Sequence, residues 1–92
     1  PPADVFEGEK EIVICIALPG VRSESVTVQI VANALVVSAE RLLPPELAQL
    51  RISRLEIPYG RFERQLELQS GRYVVVQRRM ADGCLTLTLS KE

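Results

Sequence analysis

The stretch Cys84-Leu-Thr-Leu-Thr-Leu-Ser-Lys91 constrains this chain more than any other, because Leu85, Leu87 and Leu89 alternate strictly with Thr86, Thr88 and Ser90. Successive side chains of a strand point to opposite faces, so such a run buries one face and leaves the other polar. A helix cannot sort these residues that way. The same period of two recurs upstream. Glu11-Ile-Val-Ile-Cys-Ile-Ala-Leu18 sets Ile12, Ile14, Ile16 and Leu18 on one face and Val13, Cys15 and Ala17 on the other, before Pro19-Gly20 stops it. With both faces apolar, this strand belongs inside a sheet. A short strand is expected at Asp4 to Glu7. Val26, Val28 and Ile30 share a face, Asn33 suits a left-handed turn, and Leu35, Val37 and Ala39 complete a hairpin. Phe62, Arg64, Leu66 and Leu68 line one side of a later strand, Val74 and Val76 face inward on the next, and Asp82-Gly83 turns the chain into the closing strand. Between them lies a long insert from residue 41 to residue 60, broken by Pro44-Pro45, in which Arg51 to Ile57 reads as an isolated strand. The expected fold is an all-β sandwich of seven or eight antiparallel strands in one domain, since 92 residues supply only one modest core.

Composition excludes more than it assigns. Twelve acids balance eleven lysines and arginines, and the only adjacent basic pair is Arg78-Arg79, so no nucleic-acid partner is expected. No apolar run approaches a membrane span, and the first residues lack the basic and apolar regions of a signal peptide. Taken as complete, the chain is expected to stay in the cytoplasm, where Cys15 and Cys84 fit free thiols. With no histidine there is no Ser-His or Cys-His dyad and little to hold a metal, so neither a catalytic residue nor a metal or cofactor is expected. Carboxylate pairs such as Glu63 and Glu67 read as solvated strand faces.

The specific signal lies in four separated motifs. Arg54-x-Glu56-x-x-Tyr59-Gly60-x-Phe62-x-Arg64, Ile16-Ala-Leu-Pro-Gly-Val21, Ala39-Glu-Arg41 and Asp82-Gly-Cys-Leu-Thr-Leu-Thr-Leu-Ser-Lys91 together resemble the α-crystallin domain of small heat-shock proteins, closest to its bacterial and plant branch. The resemblance spans nearly all of residues 1–92, read as that domain without its N-terminal arm and C-terminal tail. Departures from the pattern are Leu68-Gln69 for Leu-Pro, Arg78 for Ala, Cys84 for Val and Ser90-Lys91 for Pro-Lys.

The resemblance implies an immunoglobulin-like sandwich and an ATP-independent holdase that binds partly unfolded client proteins. A holdase stabilises no transition state; it needs only apolar surface and free strand edges. The family's groove would lie between the strands read as Val26 to Ile30 and Tyr73 to Arg78, accept an Ile-x-Ile/Val motif, and be lined by Val26, Val28, Ile30, Val74 and Val76. Ile52 to Ile57 would be a strand exchanged between two subunits, with Arg54, Glu56, Ile57, Tyr59 and Arg64 at the homodimer interface. Larger homo-oligomers are implied for a full-length form, and a dimer for this chain. Arg64 also draws notice by itself, because it shares a parity with Phe62 and Leu66 and so points a charge at an apolar face. Leu55-x-Ile57 has the spacing of a groove-binding motif, although a swapped or surface strand is the plainer reading.

Two rival readings remain. A co-chaperone adaptor of the p23 or CS type shares the sandwich but generally lacks the insert. An extracellular adhesion or sugar-binding sandwich would call for a disulfide and aromatic platforms, which two phenylalanines, two tyrosines and no tryptophan hardly supply.

Overall fold

Residues 1–92 are all described by a computed structural model, and seven strands account for its regular structure. They are β1 (Ala3–Glu7), β2 (Glu11–Ala17), β3 (Thr27–Val31), β4 (Ala34–Arg41), β5 (Gly60–Glu67), β6 (Tyr73–Ala81) and β7 (Cys84–Lys91). Single 3-10 turns occupy Ser23–Ser25 and Pro45–Leu47. Hydrogen bonding orders one antiparallel sheet β1-β2-β7-β6 and a second β3-β4-β5. This is the all-β sandwich that the alternation predicts.

The core follows from parity. Leu85, Leu87 and Leu89 on β7 sit opposite Ile16, Ile14 and Ile12 on β2, and all six are buried. Leu35, Val37 and Ala39 of β4 close over them from the other sheet, with Leu18 and Val26 at the ends. The intervening β7 residues Thr86 and Thr88 stay half-buried on the outer face, where Cys15 Sγ lies 3.7 Å from Thr86 Oγ1. Both cysteines are free thiols.

Three expectations change at the level of single elements. Ile52 to Ile57 forms no strand, so seven of the expected seven or eight strands are present. The reason is that a strand needs a neighbour for its N–H and C=O groups, and none flanks this segment within one chain. Second, Val74 and Val76 do not point inward. Tyr73 and Val75 pair with Lys91 and Leu89 and pack on the core, a bulge follows Val75, and Val74 and Val76 are 43% and 58% exposed. Three consecutive valines carry no parity of their own, so the partner strand decides it. Third, the left-handed residue of the β3–β4 turn is Ala32, with φ 54°, and not Asn33. The β6–β7 turn does behave as read: Asp82 and Gly83 both take positive φ, as a two-residue hairpin requires.

Each sheet leaves two edges without a strand partner. The four-stranded sheet ends at β1 and β6, the three-stranded sheet at β3 and β5. Arg64 Nη1, on β5, donates to Pro1 O beside β1 at 2.8 Å. Arg78 Nη2, on β6, donates to Val26 O at 2.8 Å and Ser23 O at 3.2 Å, just before β3. One side of the sandwich therefore brings together the free edges of β3 and β6, the other those of β5 and β1.

Candidate functional site

Two regions carry the residues singled out in the sequence. The first is the β3/β6 side. Val28 and Ile30 are half-buried on the inner face of β3 and pack against the core, as do Tyr73 and Val75 of β6. Val26, expected to line a groove, is only 5% exposed, because it precedes β3 and completes the core beneath the Arg78 side chain. Val74 and Val76 lie exposed on β6, apart from that inner face. The five candidates therefore do not line one open cleft: Val28 and Ile30 keep company with Tyr73 and Val75, while the other three are either buried or turned away.

Around the insert lies the second region. Arg41 ends β4 with the inward parity of Leu35, Val37 and Ala39. Its guanidinium carbon stands 5.7 Å from the Phe62 ring centroid, a cation–π distance, and Nη1 donates to Pro58 O at 3.2 Å. Arg41 Nε is buried without a hydrogen-bond partner. Gly20, held at φ +79°, leaves it room, since a Cβ there would come within 3.0 Å of Nε. A cavity of about 500 Å³ opens between Pro19, Gly20, Arg41, Pro44, Ile57 and Tyr59.

The interface candidates divide accordingly. Ile57 and Tyr59 share that cavity with Arg41. Arg54 Nε and Glu56 Oε2 form an ion pair of 3.6 Å out in solvent, which contributes little by itself. Arg64 lies apart, on the inner face of β5 opposite Val37, with a main-chain carbonyl and no carboxylate as its partner. A second cavity, about 670 Å³, lies within the insert, walled by Leu43, Leu47, Leu50, Ile52, Leu55 and Tyr59 among others. Leu55 and Ile57 are both more than half exposed and do not fill the chain's own β3/β6 side. Sequence reasoning missed Arg41 as a contact residue, although its parity with three core residues was there to read. It also passed over Arg78, whose departure from the family's alanine was the available signal.

Comparison with known proteins decides what this arrangement is. Residues 4–92 match the Hsp20/alpha crystallin family. The chain belongs to that family. Members of the Hsp20 family are chaperones that work without ATP, and not enzymes. The 17.3 kDa class II heat shock protein of Solanum peruvianum is 32% identical over 92 residues, covering 98% of this chain and 59% of the relative. A 17.1 kDa class II heat shock protein of Pisum sativum is 30% identical, with 98% and 60% covered. The chain thus spans about three-fifths of the length of these plant relatives. Among solved structures, heat shock protein 16.0 from Schizosaccharomyces pombe superposes with a TM-score of 0.80 at 26% identity, over 99% of this chain and 86% of that one. The hspA structure from Xanthomonas axonopodis gives 0.78 at 25%, over 99% and 92%. The Hsp20 sandwich is therefore shared over essentially the whole chain, and no helix here is long and apolar enough to cross a membrane.

Proposed function

We propose that this chain is the α-crystallin core of a small heat-shock protein, a holdase that dimerises through its insert and captures partly unfolded client proteins in the cytoplasm. The carrying observation is the insert itself. Leu42, Leu47, Leu50, Ile52, Leu55 and Ile57 are 71%, 44%, 66%, 59%, 52% and 57% exposed on a segment that has no strand partner in the chain. Soluble chains seldom present such a concentration of aliphatic surface without an occupant.

Exchange of inserts between two copies supports this physically. About half of each side chain's burial is still to be gained, roughly 1 kcal/mol apiece, so twelve across a two-fold pair contribute about 12 kcal/mol. Association costs about 4–15 kcal/mol, which leaves a dimer whose population depends on concentration. Arg54, Glu56, Ile57, Tyr59 and Arg64 are its interface residues in this reading. A full-length form adds weak docking of aliphatic motifs on the β3/β6 side, and many such linked sites give the larger homo-oligomer. No observation favours the co-chaperone adaptor.

The test is light scattering from a heat-unfolding client protein, with the chain added in the absence of nucleotide. Suppressed scattering, unchanged by ATP and reduced by Leu50→Ser with Ile52→Ser, is expected. Scattering identical with and without the chain at several-fold molar excess would remove the holdase assignment.

A further inference from the structure

The Arg78 side chain closes one end of the β3/β6 side in a way the family pattern does not foresee. Its Nη2 takes two main-chain acceptors, Val26 O and Ser23 O, immediately before the free edge of β3. At the far end, Leu68 N donates to Asn33 O and Tyr73 Oη to Gln69 O, so the two edges run from Arg78 and Val26 to Tyr73 and Asn33. Val28, Ile30 and Val75 lie between, half-buried. An extended segment added along β3 would use edge carbonyls, and Arg78 already holds Val26 O at its entrance, while Ser23 O also accepts Val26 N within the 3-10 turn.

Charge makes this more than a plug. Arg78 is exposed, takes part in none of the three ion pairs, and has only neutral carbonyls for partners. Of the charged side chains on the adjoining 3-10 turn and its cap, Arg22 and Glu24 offset each other. A carboxylate is a stronger acceptor for a guanidinium than a main-chain carbonyl, and it pairs through both oxygens. We propose that Arg78 sets the specificity of this groove: it admits an extended aliphatic segment that carries a carboxylate beside its aliphatic pair, and disfavours the uncharged equivalent. The incoming acid would draw the guanidinium off both carbonyls and free Val26 O for the added strand, Ser23 O keeping its turn bond from Val26 N. This rests on the groove reading under the proposed function.

Backbone NMR titration of the whole chain separates the two. The probes are Ser-Glu-Ile-Ser-Val-Glu-Ser and Ser-Gln-Ile-Ser-Val-Gln-Ser; with acid at both flanks, either orientation brings a carboxylate to Arg78. We expect shifts at Val28, Ile30 and Val75, with the acidic peptide binding about tenfold more tightly, the size of one charge-assisted hydrogen bond. Arg78→Gln should abolish the difference. Arg79→Gln, one residue along and opposite Thr86 on the outer face, should keep it. Equal affinity of both peptides for the unaltered chain, with shifts at those residues, would overturn the role of Arg78 and leave the groove standing. No shifts with either peptide, in the unaltered chain or in Arg78→Gln, would remove the groove reading and this inference with it.

Discussion

Single residues here divide into those that hold the sandwich together and those left exposed on the insert, and substitution distinguishes them. Leu87 is fully buried at the centre of β7, so Leu87→Ala should destabilise the chain by about 2–5 kcal/mol in urea unfolding. Leu50, 66% exposed on the insert, should leave the unfolding of the monomer within about 0.5 kcal/mol when changed to alanine. Gly20 and Gly83 give a second contrast. Both have positive φ, but a Cβ at Gly83 would meet Pro19 at an ordinary 3.5 Å, whereas at Gly20 it would crowd Arg41 Nε at 3.0 Å. Gly83→Ala should cost about 1–2 kcal/mol for the backbone alone. Gly20→Ala should cost more and displace Arg41 from Phe62, visible as a change in the Phe62 ring resonances. Arg64 shares the face of Phe62 and Leu66, and within one chain its guanidinium donates to Pro1 O. Arg64→Ala should lower both the melting temperature and the fraction of dimer; no change in either would mean that the guanidinium serves neither.

At the level of elements, the alternation made β4, β5 and β7 readable, because each has one face of clear sign that a one-residue slip would invert, while β2, apolar on both faces, takes its inward face from pairing with Leu85, Leu87 and Leu89. β6 was not readable in the same way. Its valines are consecutive, and only pairing with Leu89 and the bulge after Val75 fix which of them faces the core. Of its residues, Tyr73 and Val75 pack on the core, where Val74 and Val76 were expected to face. The insert failed for a different reason. Its sequence does favour an extended segment, but the hydrogen-bonding neighbour that would make it a strand is not in the chain. Amide hydrogen exchange addresses this directly. Amides of residues 51–57 should exchange within the dead time in dilute solution and gain protection as concentration rises, while those of β2 and β7 stay protected throughout. Uniformly unprotected insert amides at every concentration would rule out strand exchange.

For the molecule as a whole, shape records the same division of labour. The Cα radius of gyration is 15.5 Å and the long axis 51 Å, against about 12 Å for the radius of gyration of a compact domain of this length. The 3-10 turn of the insert makes no substantial contact with any strand, so the excess is an arm whose apolar side chains have no place to go within one copy. An arm of this kind, on a sandwich whose edges remain free, is what a chaperone that works by association requires. Sedimentation velocity over a concentration series, on the chain and on its Leu50→Ser/Ile52→Ser/Leu55→Ser variant, tests that account most directly. The account predicts a species of twice 10.2 kDa that grows with concentration and is lost in the variant. A chain that sediments as a monomer at all concentrations, or a dimer indifferent to the three substitutions, would contradict it.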